Sequence, residues 1–204
     1  MAARSESVVE DYLKAIYSHT EWQPSPITSS QLATRLSLAP STVSEMIKKL
    51  VARGLVEHVP YGAITLTGEG NTQALRMVRR HRLVETWLVR QFGYRPDEVH
   101  DEAEILEHAV SDRLLDTMDD ALGRPAVDPH GDPIPTRDGA VSLPQAVRAD
   151  ASDAPRRAAV ARLSDHEPHV LRRLAQKGLD VGVVIDVAEL EPDEVSAVWL
   201  ALPS

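Results

Sequence analysis

The sequence predicts a mainly α-helical chain with small β elements. It is read as an N-terminal winged helix-turn-helix, a helical dimerisation part and a C-terminal β-barrel of the SH3 type. Three observations predict this. Three amphipathic helical stretches and two short apolar runs fill residues 6–66, helical periodicity then dominates to residue 122, and short β-like runs return after a stretch rich in Pro, Gly and Asp. The boundaries that follow are 1–72 for the winged-helix part, 73–140 for the helical part, 141–155 for a linker and 156–204 for the barrel.

Each element has a local reason. Val9, Tyr12, Leu13, Ile16 and Tyr17 recur at the spacing of an amphipathic helix over 6–20. Gln23 to Pro26 reads as a loop with two prolines. Thr28 or Ser29 can cap a second helix whose stripe is Leu32, Ala33 and Leu36. Pro40 suits a first helical turn, Val43, Met46, Ile47 and Leu50 share one face, and Gly54 is a stop. Leu55–Val59 and Ala63–Leu66 read as strands around a Pro60-Tyr61-Gly62 turn. A long helix follows from Thr67 to Gly93, then helices over 96–109 and from Ser111 to Leu122. Such stripes exceed what a small winged helix can cover, which points to a helical pair or a dimer interface. Residues 123–156 read as a partly ordered linker. Beyond it, Ala158–Leu163, Val181–Val187 and Val195–Leu200 read as strands and Val170–Gln176 as a helix.

The chain has 204 residues and no cysteine, which excludes disulfide scaffolds, thiolate zinc sites and cysteine nucleophiles. No apolar run reaches the ~18–20 residues of a membrane helix. The start MAARSESVVEDYLKAIY lacks the basic opening and apolar centre of a secretory signal. The expectation is a cytoplasmic protein with no membrane partner.

The net charge of −9 hides an asymmetry. Residues 1–82 carry 10 basic and 7 acidic side chains, whereas residues 83–204 carry 12 and 24. Local positive charge is what phosphate requires, so the N-terminal part can meet DNA while the rest attracts cations. On the candidate recognition helix, Ser41, Thr42 and Ser44 are small enough to approach base edges, and Lys48 and Lys49 suit phosphates. A small α+β domain with no nucleic-acid role is the bland alternative.

Three groups of carboxylate and imidazole stand out. His81 and Glu85 are spaced i,i+4 on the long helix. Glu104, Glu107 and His108 share a face of the next helix, with His100 one turn earlier. Asp11 lies beside the apolar stripe of the first helix. Imidazole nitrogen and carboxylate oxygen are ligands for divalent first-row metals, and two converging helices can bring several within reach. A solvated polar face is the competing reading for any one pair. His19, His58 and His130 fall outside these groups and read as surface residues.

The run RRHRLVETWL…VHDEAEILEHAVSD, behind a stretch ending ARGLVEHVPYGAITLTGEG, resembles the diphtheria-toxin-repressor family of metal-activated bacterial repressors. The likeness covers the first 122 residues well, and the last 50 more weakly resemble the SH3-like domain of its longer members. It implies a primary metal site of Asp11, Glu104, Glu107 and His108. It implies an ancillary site of His81, Glu85 and His100, completed from the C-terminal domain by Glu167, with His166 and His169 as rivals. Iron-responsive members place a methionine and a cysteine where this chain has Asp11 and Glu104, and manganese-responsive members place carboxylates at both. Short manganese regulators carry a further glutamate where this chain has Lys14, so a bridged pair of ions is not expected.

The resemblance implies a homodimeric, Mn²⁺-activated repressor that binds double-stranded palindromic operator DNA and controls manganese uptake genes, and that is not an enzyme. Zn²⁺ or Co²⁺ can substitute in vitro. An Fe²⁺-responsive repressor is the rival of the same class. A metallohydrolase is disfavoured, having no HExxH and no nucleophile apart from the proposed ligands. A winged-helix regulator that senses an organic ligand would need an apolar pocket.

Overall fold

The computed structural model describes residues 2–23, 25–59 and 62–202, with side chains from Glu6 onward. Pro24 of the predicted loop, and Pro60 and Tyr61 of the predicted turn, lie outside the described residues. The chain divides into two compact units, one up to Arg79 and one from Arg80.

The first unit contains α1 (Ala2–Glu21), β1 (Ile27–Thr28), α2 (Ser29–Arg35), α3 (Pro40–Ala52), β2 (Val56–His58), β3 (Ala63–Leu66) and the opening turns of α4 (Gly68–Phe92). Helix α2 starts with a capping box: Gln31 N–H donates to Thr28 Oγ1, and Thr28 N–H donates to Gln31 Oε1. Ser37, with φ of 53°, turns the chain between α2 and α3. Pro40 opens α3, where its missing N–H costs nothing. Gly54, at φ 69°, closes it in a region where a Cβ would be strained. The three strands form an antiparallel sheet in the order β1-β3-β2, with Ile27 opposite Ile64 and Val56 opposite Leu66. Strand β1 was not expected, and two residues are too short for a periodicity to announce. Gly70 packs so closely under the wing that a Cβ there would lie 1.9 Å from the Leu55 carbonyl oxygen.

Tyr12, Leu13, Ile16, Ile27, Leu32, Ile47, Leu50, Leu55 and Ile64 form the core of this unit. Burying Val43, Ile47 and Leu50 on one side of α3 leaves Ser41, Thr42, Ser44, Lys48 and Lys49 exposed on the other. Packing therefore orients this helix so that its polar residues face solvent.

The second unit contains the rest of α4, α5 (Val99–Leu106), α6 (Asp112–Ala121), β4 (Ala146–Arg148), β5 (Arg157–Leu163), α7 (Pro168–Gln176), β6 (Val184–Asp186) and β7 (Val198–Ala201). Four antiparallel strands lie in the order β4-β7-β5-β6. Val170, Leu171 and Leu174 of α7 join Val160, Leu163, Ile185, Val198 and Leu200 in one core. The expected strand over 181–187 shrinks to β6, and the one over 195–200 begins with a 3₁₀ turn at Val195–Ala197.

The expected linker needs correction. Residues 130–135 are buried, Val127 bridges Pro133, and β4 lies within the 141–155 stretch. The segment is held by a tight local turn and by bonds to distant partners. Asp128 Oδ1 accepts from the N–H groups of His130 and Asp132 at 2.8 and 2.9 Å. Arg82 donates to the Pro133 carbonyl at 2.6 Å, and Leu163 N–H to that of His130 at 2.8 Å. Arg162, stacked 4.4 Å from the Trp199 ring centroid, donates to Asp132 at 2.6 Å.

Arg162→Ala is expected to destabilise the protein by about 3 kcal/mol, the lower end for breaking a buried ion pair. The lower end applies because Arg82 also faces Asp132, at 3.7 Å. Urea denaturation reads this, and a change below about 1 kcal/mol would mean that water or Arg82 replaces the pair.

Candidate metal centre

Helix α4 carries His81, Arg82 and Glu85 into the second unit's interior. Helix α5 carries His100 and Glu104, and its C-cap is Glu107, followed by His108. Arg80 fixes the end of α5 from α4, donating to the carbonyls of Glu107 and Val110 and to Asp112. Those carbonyls have no helical partner, so a guanidinium is a fitting cap. The buried segment supplies Asp128 and His130, and the turn after β5 supplies Asp165.

His81 stands at the middle. Its Nδ1 donates to Glu107 Oε2 at 2.6 Å and lies 3.7 Å from Glu104 Oε1. Its Nε2 lies 3.0 Å from Glu85 Oε1 and 3.2 Å from His100 Nδ1. His100 Nδ1 is 3.5 Å from Glu85 Oε1 and 3.6 Å from Asp165 Oδ2, and its Nε2 is 3.5 Å from Glu104 Oε1. The second Glu85 oxygen faces His130 Nδ1 at 3.7 Å. His130 Nε2 donates to the Pro96 carbonyl at 2.9 Å, which leaves Nδ1 turned to the carboxylate.

Charges in this cluster are mutually dependent. Burial pushes the Glu85 carboxyl up, but the positive charge of His81 and the facing His100 and His130 rings outweigh it and hold Glu85 well below the usual carboxylate range. Burial pushes Asp165 up as well, yet His130, His100 and His166 hold it low. Burial lowers His100 and His130, and the Glu85 carboxylate with its acidic neighbours raises both above the ordinary histidine value. Burial and the charge of Asp132 push Asp128 up to about 7.

Two observations show that the residues suit a cation. Glu85 Oε1 and His130 Nδ1 are buried side-chain atoms without a hydrogen-bond partner. Glu85 is common to two sets of nitrogen and oxygen atoms lying within 4.8 Å of one another, one with His100 and Asp165 and one with Asp128 and His130. Glu85 Oε1 has ion-pair contacts with His81 and His100 but no aligned hydrogen bond, and a divalent ion would satisfy such a buried carboxylate oxygen.

The structure brings together the expected ancillary residues His81, Glu85 and His100. It does not bring Glu167 to them: that side chain is 65% exposed and pairs with His169 at 3.5 Å. Asp165 stands in that place instead, because Ser164 N–H, bound to the Ala197 carbonyl, anchors the turn just before it. His130 also departs from expectation, since it is 1% exposed rather than on the surface. Neither His130 nor Asp128 belongs to a helical spacing. The sequence DPHGDP carried the ligand types, yet only a Pro-rich loop folded inward makes them visible. Of the expected primary residues, Glu107 Oε1 lies 3.5 Å from His108 Nε2, while Glu104 faces His81 and His100. Asp11 lies on α1 of the first unit, partly buried beside Tyr12 and Leu13.

Because His100 and His130 hold their protons above the ordinary histidine value, a metal must displace those protons. Metal affinity is therefore expected to rise with pH by up to about tenfold per pH unit for each proton released, and to level off once the pH passes the raised values of these imidazoles. Calorimetric titration with Mn²⁺ in buffers of different ionisation enthalpy measures the protons released. An affinity flat between about pH 6 and 8 would show that these imidazoles are not displaced.

A helix-turn-helix unit with an exposed polar helix, joined to a unit holding buried imidazole–carboxylate clusters, defines a metal-responsive DNA-binding regulator. Comparison with known proteins gives the family. Residues 6–64 match the N-terminal DNA-binding domain of the iron-dependent repressors, and residues 67–136 match their metal-binding and dimerisation domain. The chain is 37% identical over 110 residues to an uncharacterised helix-turn-helix transcriptional regulator of Methanocaldococcus jannaschii, covering 54% of this chain and 88% of that one. It is 35% identical over 145 residues to the diphtheria toxin repressor of Corynebacterium glutamicum, covering 69% of this chain and 61% of that one. A solved manganese-dependent transcriptional repressor in complex with manganese superposes with a TM-score of 0.87 at 42% identity, over 95% of this chain and 99% of that chain. The chain belongs to the iron-dependent repressor family, whose members include the diphtheria toxin repressors. It is a metal-dependent transcriptional repressor and not an enzyme.

Proposed function

We propose that this repressor responds to Mn²⁺ and controls genes for manganese uptake. The observation that carries the reading is its ligand chemistry: every candidate ligand is a carboxylate oxygen or an imidazole nitrogen, in a chain without cysteine. Hard oxygen donors suit Mn²⁺, which stands lowest in the affinity order and needs a site that does not reward softer ions. The similarity to a manganese-dependent repressor supports the same ion.

In this reading one site is built from Asp11, Glu104, Glu107 and His108. The other is built on Glu85 with His81, His100 and Asp165, and with His130 and Asp128 beside it. The domains are 1–72 for DNA binding, 73–140 for metal binding and dimerisation, and an SH3-like barrel that begins with β4 at Ala146–Arg148 rather than at 156. Ile105 and Leu114, 70% and 46% exposed in the single chain, give α5 and α6 an apolar face suited to a second copy. A twofold dimer would bind a palindromic operator with half-sites ~34–36 Å apart, or a multiple of that. Ser41, Thr42 and Ser44 would stand nearest the bases, with Lys48 and Lys49 on phosphates. Metal acts by linkage, stabilising the dimer geometry that fits successive major grooves.

The test is DNA binding under anaerobic titration with Mn²⁺, Fe²⁺ and Zn²⁺ at matched free concentrations. Mn²⁺ should activate at concentrations where Fe²⁺ does not, and chelation should release the DNA. Activation by Fe²⁺ at lower concentration than Mn²⁺ would overturn the manganese reading and leave the family intact.

A further inference from the structure

We propose that Glu45 is a specificity-determining residue that reads a cytosine in the major groove, an inference that rests on α3 being the helix that meets the bases. Glu45 is the only acidic residue of α3, and it is exposed. Val43, Ile47 and Leu50 are buried on one side of the helix. Ser41, Glu45, Lys48 and Ala52 stand at i, i+4, i+7 and i+11 on the opposite side, and all four are exposed. The acid thus lies at the middle of the outward face, with Thr42 and Ser44 to either side. Among the described residues its carboxylate is in no ion pair or hydrogen bond, although Lys48 and Lys49 follow one turn later.

The chemistry of the groove decides what such a group does. Near a duplex a carboxylate is repelled by the phosphates, so it weakens binding to every sequence alike unless a base donates to it. An ionised carboxylate only accepts. In the major groove guanine presents two acceptors, and thymine an acceptor and a methyl group. Adenine sets its N7 acceptor beside its N6 donor, and cytosine offers its N4 donor with no acceptor of its own. Glu45 therefore favours cytosine and disfavours guanine and thymine. Its hydroxyl neighbours select less sharply, because a hydroxyl both donates and accepts. The Ser44 hydroxyl already donates to the Pro40 carbonyl at 2.9 Å.

The experiment is selection of binding sites from a pool of random duplexes by the full chain with saturating Mn²⁺, or with Fe²⁺ should Mn²⁺ not activate. The parent, Glu45→Gln, Glu45→Ala and Thr42→Ala are compared, and circular dichroism confirms folding. The parent should select cytosine at one position of each half-site, and replacing that base should weaken binding by about 5- to 150-fold, the span of one good base-edge contact. Glu45→Gln should move the preference at that position to adenine, whose N6 and N7 suit an amide, and leave the other positions as they are. Glu45→Ala should cut the penalty for replacing the base to less than about twofold and bind all duplexes more tightly. The same preferences in the parent and both Glu45 variants, with affinity for all sequences rising together, would show an acid that only opposes phosphate and would overturn the proposal. Thr42→Ala separates that result from a failure of the reading beneath it. If Thr42→Ala alters the selected sequence and the Glu45 variants do not, α3 reads bases without Glu45; if no variant alters it, α3 is not the reading helix, and both readings fall.

Discussion

Glu107→Ala is expected to abolish metal-dependent DNA binding. Glu107 is fully buried, lies against His108 with one oxygen and accepts from His81 with the other. Removing it takes away a proposed ligand of the first site and also the acceptor of the His81 Nδ1 hydrogen bond. Loss of a supporting partner alone commonly costs 10–100-fold in metal affinity, and loss of a ligand costs more. Mn²⁺ affinity at that site should fall by more than about 100-fold, and DNA binding should become indifferent to metal. Glu107→Gln separates charge from packing: it keeps the volume and should lose the metal response just as fully. His81→Ala should be milder, weakening the response without removing it, because Glu107 and His108 remain. A His81 variant with no response beside a Glu107 variant that keeps one would reverse the ranking of the sites.

The second large effect is on metal choice. Asp11→Met with Glu104→Cys is expected to weaken activation by Mn²⁺ and strengthen that by Fe²⁺ or Co²⁺. The change removes two anionic oxygens and supplies a thioether and a thiolate, which soft-seeking ions reward and Mn²⁺ does not. Glu104 Oε1 stands 3.5 Å from His100 Nε2 and 3.7 Å from His81 Nδ1, so a sulfur there would enter an imidazole-rich surrounding. Asp11→Met alone should already shift the ranking. Both carboxylates lie outside the fully buried core, where a change of side-chain size is tolerated, so the metal-free protein should keep its fold. Anaerobic titrations of DNA binding with each metal provide the test. A double variant with the parent's ranking would show that ligand hardness does not set the preference.

Much of the DNA-binding unit was legible because its signals are local. The Thr28 cap, Pro40 at the start of α3, Gly54 at its end and the stripe Val43, Ile47, Leu50 are all set by neighbours within one or two turns. Strand β1 and the wing's full sheet were not legible, since a two-residue strand exists only through its pairing with β3. The same contrast holds in the metal centre. His81 with Glu85, and His100 with Glu104, are i,i+4 pairs on helices and could be read from spacing.

The sequence by itself determined the residue types at the metal centre, the helical faces that present most of them and the absence of any sulfur from cysteine. Helical spacing is a short-range property, so one strand of text records it. Only the tertiary structure decided that Asp165, and not Glu167, meets His100, and that His130 is buried against Glu85. Those placements depend on Arg162 with Asp132, Arg82 with Pro133 and Leu163 with His130, pairs joined across 30 residues or more. A Pro- and Gly-rich segment carries no periodicity of its own. Its place is set by the distant groups that satisfy its backbone, and no local pattern encodes them.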